Sequence, residues 1–132
     1  LIDTFLKSIP ALNKLRQEVY QTSRSGKLKG LDGRLLYPRS THSALNTLIQ
    51  GAGAVVCKQW LVEMIKAVSK EKLDVKLVAS IHDEYQFEVS NEDVERFCHI
   101  TKEAIKTTEK MLNLKCPLDN EYNVGLTWAE TH

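Results

Sequence analysis

The stretch DVKLVASIHDEYQFEV, residues 74–89, joins two segments in which apolar and polar residues alternate. Such alternation is the pattern of half-buried β-strands, so the stretch predicts an antiparallel hairpin. Three ionisable residues, His82, Asp83 and Glu84, stand in a row between the strands. Glycine or asparagine would form a tight turn at a lower cost in free energy. We expect one apolar face on each strand, formed by Val75, Leu77, Ala79 and Ile81 on the first and by Tyr85, Phe87 and Val89 on the second.

Helical periodicity lies on both sides of this hairpin. Before it, a run without proline extends from an N-cap at Ser40 or Thr41 to about Val68 and predicts a long helix with a broad buried face. After it, Ser90 and Asp93 have the spacing of a capping box, and the apolar stripe that follows predicts a second clear helix.

The first forty residues predict a shorter helix and a small hairpin. Ser8 as N-cap and Pro10 near the first helical position mark the helix, and Asp32-Gly33 is a favoured two-residue turn. A last extended run, residues 116–128, would complete the order helix, hairpin, long helix, hairpin, helix, strand. This order predicts an α+β fold, in which an antiparallel sheet with the ionisable hairpin packs against long helices on one face.

Composition is that of an ordinary globular chain of one domain. The 132 residues are 42% hydrophobic and 27% charged, and no apolar run is long enough to span a membrane. Cys57, Cys98 and Cys116 match no zinc or redox spacing, and they predict free thiols in a reducing interior.

Charge is distributed unevenly along the chain. Residues 1–60 hold nine Lys and Arg against three Asp and Glu, whereas residues 61–132 hold nine against fourteen. This asymmetry favours a surface that binds a polyanion beside a site that binds cations. Uneven sampling of surface charge explains the same numbers equally well.

A polar stripe is predicted on the long helix. His42, Asn46 and Gln50 follow one another at intervals of four residues and would share one face. Gly51 and Gly53 would each cost about 1 kcal/mol relative to alanine inside a helix, and such glycines usually mark the close approach of another backbone or a ligand. The stripe is either a strip of hydrogen-bonding groups for a partner or a solvated polar face.

The acidic pair Asp83 and Glu84 is a candidate metal site. Two carboxylates in close quarters repel each other unless a cation offsets them, and oxygen ligands suit Mg²⁺. A centre with two metal ions needs at least two bridging carboxylates, so one hairpin provides about half of such a site. Taken alone, the triplet is better explained as an exposed acidic turn.

Four motifs in a fixed order supply further context. They are LDGRLLYP at 31–38, HSALNTLIQGAGA at 42–54, ASIHDEYQFEV at 79–89 and GLTWAETH at 125–132. Together they resemble the C-terminal palm portion of family A DNA polymerases, the class of bacterial DNA polymerase I, and they are closer to the podovirus replicative type. The resemblance covers nearly the whole chain.

The resemblance implies template-directed DNA synthesis, in which a nucleotide passes from a dNTP to a primer 3′ end with the help of two Mg²⁺ ions. Asp83 resembles the palm aspartate that binds both ions, and Glu84 resembles its acidic neighbour, which supports the metal site. His82 resembles a histidine near the primer terminus.

Other residues are implied to contact primer–template DNA. Asn46 and Gln50 resemble a pair that touches the minor groove at the primer–template end, and His42 would extend their face. Arg34 resembles an arginine near the primer strand. His132 resembles the family's C-terminal histidine near the active site.

The family's second palm aspartate and its fingers helix are expected upstream and are not found in this sequence, nor is there room for a thumb or an exonuclease domain. We therefore expect residues 1–132 to form a single domain that is inactive alone and needs a missing N-terminal polymerase polypeptide. Apolar surface left open in the isolated chain should cause self-association. We expect a cytoplasmic location, in the host cell if the chain is viral.

Two other functions remain open on the sequence. The same fold fragment could serve as a non-catalytic DNA-binding or assembly module. A small metal-dependent hydrolase could use His82, Asp83 and Glu84, although further ligands at suitable spacing are lacking.

Overall fold

Helices and short hairpins alternate along the chain in the computed structural model, which describes residues 2–131, with side chains from residue 5 onward. The chain forms two compact units, one up to Val55 and one from Val56 onward. The four strands form two separate antiparallel sheets of two strands each. The predicted α+β fold class is confirmed. The elements are α1 (Ile2–Ser8), α2 (Pro10–Ser23), β1 (Leu28–Lys29), β2 (Leu35–Leu36), α3 (Ala44–Glu71), β3 (Val75–Ile81), β4 (Glu84–Val89), α4 (Val94–Met111) and α5 (Trp128–Thr131).

The first unit is held by a small apolar cluster. Val19 of α2, Leu28 of β1 and Ala44 of α3 are buried together. Three half-buried leucines pack against this cluster: Leu36, Leu45 and Leu48. The cluster joins α2, the small hairpin and the start of α3.

The two glycines of α3 have different surroundings. A Cβ on Gly51 would lie 3.3 Å from Leu36 Cδ1, so the glycine lets β2 pack closely against the helix. A Cβ on Gly53 would meet no atom within 4 Å. Packing inside the unit therefore explains Gly51, whereas Gly53 leaves the helix surface flat and open.

The β1–β2 hairpin turns through three residues. Gly30 N–H donates to Arg34 O at 2.8 Å, and Gly33 N–H donates to Gly30 O at 3.0 Å. Gly33 has a φ of +84°, as expected for the last residue of a three-residue loop. The loop is therefore Leu31–Gly33, and the predicted two-residue Asp32-Gly33 turn is wrong, because the Gly30–Arg34 pair already closes the hairpin.

The start of α2 matches the prediction in part. Pro10 is its first residue, where the missing N–H costs nothing. The N-cap position is Ile9, and no side chain caps the helix. The Ser8 hydroxyl instead donates to Phe5 O at 2.7 Å, so the predicted Ser8 N-cap is wrong.

The start of α4 is also held differently from the predicted capping box. The Asp93 carboxylate accepts the N–H of Asp74 at 2.7 Å and the hydroxyl of Ser90 at 3.0 Å. No side-chain bond caps the helix itself. Asp93 thus fastens the start of α4 to the residue that precedes β3.

The core of the second unit lies between the β3–β4 hairpin and the helices. Met64 and Val68 of α3 meet Phe97, Ile100 and Ala104 of α4. Met64 and Ile100 are fully buried. Half-buried residues of the hairpin pack on this cluster from β3 and β4: Val75, Tyr85, Phe87 and Val89. The amphipathic pattern predicted for α4 is confirmed, with Met111 at its exposed end.

The end of the chain departs from the predicted strand. Residues 112–127 contain no strand, and the short helix α5 follows them. The Lys102 ammonium donates to Asp119 Oδ1 at 2.9 Å and to Asn120 O, and the Asn120 amide donates to Thr101 Oγ1 at 3.0 Å. Side chains of α4 therefore hold this segment, and no strand partner does.

Large apolar side chains remain exposed in both units, among them Tyr37, Val78 and Leu126. No helix within residues 2–131 is long and apolar enough to cross a membrane.

We predict that Ile100→Ala destabilises the chain by about 2–5 kcal/mol, because it empties a fully buried position in the core of the second unit. The matched control is Ile65→Ala on α3, where the isoleucine is 41% exposed and the change should cost about 1 kcal/mol or less. Urea denaturation measures both. Equal losses at the two positions would contradict the packing described for α4.

Candidate functional site

The acidic turn lies at the tip of the β3–β4 hairpin. Ile81 pairs with Glu84, so His82 and Asp83 form the whole loop. His82 has a φ of +56°, and Asp83 is not among the residues with positive φ. A positive φ at the first position alone is the pattern of a type II′ turn, where glycine is favoured.

His82 is therefore held in a strained conformation. A residue other than glycine in the left-handed region costs on the order of 1–3 kcal/mol, and such strain concentrates at functional sites. His82 and Asp83 are exposed, and Glu84, the first residue of β4, is half-buried. The predicted triplet is brought together at one strained, accessible tip.

A β-bulge at Val78 changes which residues of β3 share a face. Leu77 pairs with Phe87, but Ala79 pairs with Gln86, so β3 has one residue more than β4 between these pairs. Because side chains alternate with a period of two, one extra residue moves all later side chains to the opposite face. The single apolar face predicted for β3 is wrong beyond the bulge.

The apolar face predicted for β4 is confirmed. The Phe87 ring lies 4.8 Å from that of Phe97, and the Tyr85 ring lies 5.6 Å from that of Trp60. Trp60 Nε1 donates to Thr101 O at 3.0 Å, which fixes the indole. These rings anchor the hairpin on α3 and α4, immediately beside the acidic turn.

The opposite face of β4 carries a polar chain of side chains. Gln86 Nε2 donates to Glu84 Oε1, and the Thr131 hydroxyl, which donates to Trp128 O at 3.1 Å, also contacts Gln86 Oε1 at 3.5 Å. Neither Gln86 nor Thr131 was predicted as a site residue. The spacing of two along β4 could have indicated Gln86, whereas nothing in the sequence places Thr131 beside it.

The negative charge of Asp83 affects the pKa of a thiol on α3. Burial raises the pKa of the Cys57 thiol above its usual value, and the negative charge of Asp83 raises it further. Burial also raises the pKa of Tyr85, with an added contribution from Cys57 and an opposing hydrogen bond with Ser80. The turn, the thiol and the phenol are thus near neighbours. All three cysteines are free thiols, as predicted.

The donor set of the turn fits a hard divalent cation in part. Asp83 and Glu84 offer carboxylate oxygens, which suit Mg²⁺. Within the described residues, no group of three or more His, Cys, Asp or Glu side chains could hold a metal ion. Two adjacent carboxylates supply part of such a site, and the other ligands would have to come from elsewhere.

The predicted polar stripe is shorter than expected. Asn46 and Gln50 lie one turn apart on α3 and are exposed, as the spacing predicts. His42 lies in the turn before the helix, with its ring 6.3 Å from that of Tyr20. Its predicted place on the helix face is wrong, because α3 begins only at Ala44.

Arg34 is paired within its own hairpin. Its Nε donates to Asp32 Oδ2 at 2.6 Å, and this hydrogen bond lowers the pKa of Asp32. The guanidinium is exposed, so it remains accessible to a further anion. His132 lies outside the described residues.

The predicted residues fall in both units. Arg34, Asn46 and Gln50 belong to the first unit, with His42. The acidic triplet belongs to the second.

Comparison with known proteins identifies relatives of this chain. The family model described as DNA polymerase family A matches residues 2–130. A DNA-directed DNA polymerase of Escherichia phage Phieco32 is 36% identical over 135 residues, which cover 97% of this chain and 22% of the relative. That of Enterobacteria phage T3 is 33% identical over 150 residues, covering 97% and 21%. DNA polymerase I of Bacillus caldotenax is 27% identical over 145 residues, covering 98% and 16%.

The chain therefore spans about a fifth of the length of the curated phage relatives it matches. A solved structure, the POL domain of Pol1 from M. smegmatis in complex with DNA primer-template and dNTP, matches with a TM-score of 0.74 at 20% identity. The match covers 81% of this chain and 21% of that chain. At this level of identity it shows a shared fold.

We predict that Asp83→Asn makes Cys57 react faster with iodoacetamide at pH 8. The carboxylate charge disfavours the thiolate, so its removal lowers the raised pKa of Cys57 and increases the reactive fraction. Mass spectrometry of the modified peptides, over a range of pH, measures each thiol separately.

Cys98 is the matched control, because burial alone raises its pKa. Its rate should not change in Asp83→Asn. An unchanged rate at Cys57, or an equal acceleration at both thiols, would contradict the proximity of Asp83 to Cys57.

Proposed function

The chain belongs to DNA polymerase family A, and on this basis we propose that it forms part of the polymerising site of a DNA-directed DNA polymerase. The proposed reaction joins a nucleotide from a dNTP to the 3′ end of a primer paired with its template. The observation that carries the proposal is the strained turn, which holds Asp83 and Glu84 at the accessible tip of an anchored hairpin.

The proposed activity is that of a larger polymerase to which this chain contributes. Its phage relatives are about five times as long as this chain, and Asp83 and Glu84 supply only part of a two-metal site. We expect the chain to be inactive alone and to need an N-terminal polymerase polypeptide as its partner. That partner would cover apolar side chains that are exposed here, and without it the chain should self-associate. The proposed location is the cytoplasm, of the host cell if the chain is viral.

Asp83 and Glu84 are the residues of this chain that would hold Mg²⁺. Two bound ions would neutralise charge on the transferring phosphoryl group. The chain's own contribution is positional. The exposed Asp83 carboxylate projects from a turn whose backbone the rings of Tyr85 and Phe87 hold in place, and His82 stands beside it for contact with the primer terminus.

The first unit offers a surface suited to DNA of any sequence. Asn46 and Gln50 expose amide donors, and Gly53 leaves the helix open beside them. The minor groove presents acceptors at similar positions for every base pair, so amide donors there give contact without reading the sequence. Arg34 would exchange Asp32 for a phosphate at little cost, because exposed ion pairs contribute little. The excess of Lys and Arg in residues 1–60 adds phosphate contacts.

In the complete polymerase that contains this chain, we predict that Asp83→Asn lowers the rate of nucleotide transfer about a hundredfold or more, with duplex binding largely intact. The carboxylate stabilises charge that develops during transfer, and losing such a group costs about that factor. Single-turnover primer extension and a binding titration measure the two effects.

Glu88→Gln is the control for this variant, because Glu88 is an exposed carboxylate on the same strand, paired with Lys76 at 3.7 Å. It should extend primers at the wild-type rate. Full activity of Asp83→Asn would contradict the proposed function.

We predict a different effect for Gln50→Ala. Losing one hydrogen bond to the minor groove costs about 0.5–1.5 kcal/mol, so extension of matched primer ends should slow several-fold. The difference between matched and mismatched ends should shrink, because only a matched pair places its acceptor regularly. Steady-state extension of both kinds of primer measures this, with Gln17→Ala on the exposed face of α2 as control. Unchanged discrimination with weaker overall binding would show that the amide is a generic contact.

A further inference from the structure

A chain of three polar side chains connects the C-terminal helix to the acidic turn. From this chain we propose that Gln86 is a positioning residue for Glu84, and that Thr131 of α5 holds the Gln86 amide in turn. The inference rests on the proposed function, since it concerns Glu84 as a carboxylate of the polymerising site.

The register of the hairpin places the amide and the carboxylate on one face. Ala79 pairs with Gln86, and Ile81 pairs with Glu84, so both polar side chains lie on the face opposite to Tyr85. The alternation of side chains along β4 produces this arrangement, and Tyr85 and Phe87 lie on the other face of the same strand. The backbone beneath Gln86 is therefore fixed by core packing, which leaves its side chain available for the turn.

The amide of Gln86 has a defined orientation. A carboxylate only accepts hydrogen bonds, so the amide nitrogen must face Glu84. The amide oxygen then faces Thr131, whose hydroxyl has a single proton and shares it between Trp128 O at 3.1 Å and Gln86 Oε1 at 3.5 Å. Glutamine supplies a donor at one side and an acceptor at the other, which neither glutamate nor methionine does.

The C-terminal segment holds Thr131 through its own contacts. Glu130 Oε2 accepts the N–H of Leu126 at 2.6 Å, and Asn123 Nδ2 donates to Thr131 O at 3.3 Å. A Cβ on Gly125 would lie 2.6 Å from Glu130 Cβ, so only glycine allows the segment to close on α5. Contacts within residues 123–131 thus hold Thr131 in place independently of Gln86.

These side chains line one groove of the second unit. The groove has a volume of ≈ 570 Å³, and its walls include Glu84, Gln86, Glu130 and Thr131. Gln86, Glu84 and Thr131 are all half-buried. Hydrogen bonds in such surroundings are electrostatically stronger than in open water, so the amide restrains the carboxylate effectively.

The hydrogen bond from Gln86 would keep the Glu84 carboxylate in the orientation that binds a metal ion. Loss of the amide would remove one of the interactions that restrain the Glu84 side chain, so the carboxylate would occupy its productive position less often. Partners that orient metal-binding carboxylates typically change metal affinity or activity by about 10–100-fold when they are removed. We expect Gln86 to act in this range.

The first test is Gln86→Met in the complete polymerase, which keeps the length of the side chain and removes both hydrogen bonds. The Mg²⁺ concentration for half-maximal extension should rise about tenfold or kcat should fall by that factor, with the KM for primer–template unchanged. The matched control is Gln59→Met, since Gln59 Nε2 donates to Glu63 Oε1 at 2.8 Å in a Gln–Glu pair on α3. That variant should show the wild-type Mg²⁺ requirement.

The second test reads the contact directly and needs no activity. In the 132-residue chain, Thr131→Val should shift the side-chain amide signals of Gln86 in ¹H–¹⁵N NMR spectra and leave those of Gln59 in place. Thr131→Ser keeps the hydroxyl and should restore the wild-type signals. Equal thermal unfolding midpoints for the two Thr131 variants would show that the shift reports the contact and not a loss of folding.

The outcomes separate this inference from the proposed function. If Asp83→Asn is inactive while Gln86→Met has the wild-type Mg²⁺ requirement and kcat, the inference is wrong and the proposed function stands. If Gln86 signals do not respond to Thr131→Val, the part assigned to Thr131 is wrong. If Asp83→Asn is fully active, both proposals are overturned.

Discussion

The site depends on the packing of two aromatic residues of β4 against the helices of the second unit. Phe87 lies against Phe97 of α4, and Tyr85 lies against Trp60 of α3. Full burial of such a ring contributes about 1.5–3 kcal/mol and these half-buried rings contribute part of that, while each aromatic pair adds about 0.5–1.5 kcal/mol. This is enough to offset the strain of His82 at the turn. The packed hairpin can therefore keep the positive φ of His82, a backbone conformation that is unfavourable for a residue other than glycine.

The bulge at Val78 reverses the outer part of β3. A regular ladder would carry the apolar face of β3 unbroken to the tip, with Ala79 and Ile81 on the same face as Tyr85. One extra residue turns the outer part of β3 over. The aromatic face stays in the core, and the polar face reaches from the acidic turn to α5.

The two units differ in the polar groups that lie beside their packed side chains. In the first, glycine permits close packing at Gly51, while the amides of Asn46 and Gln50 face solvent. In the second, burial raises the pKa of the Cys57 thiol, and the negative charge of Asp83 in the acidic turn raises it further. The excess of Lys and Arg lies in residues 1–60 and the excess of Asp and Glu in residues 61–132, so the two units also differ in charge.

Local patterns determined a large part of this protein. Alternation and helical spacing predicted the β3–β4 hairpin, α3 and α4, and four ordered motifs indicated the family to which the chain belongs. The acidic triplet was also evident, because adjacent residues at a turn must lie together. These features are encoded over a few residues, so periodicity and turn chemistry are sufficient to find them.

Only the tertiary structure decided the rest. The bulge at Val78 is seen only in the pairing of β3 with β4, and period-two alternation gives no sign of it. The Asp93 carboxylate found partners outside its own helix, and the predicted last strand had no neighbour to pair with. Thr131 meets Gln86 across 45 residues of sequence. Contacts at such separation depend on the summed packing of the whole unit, and no short stretch of sequence contains that information.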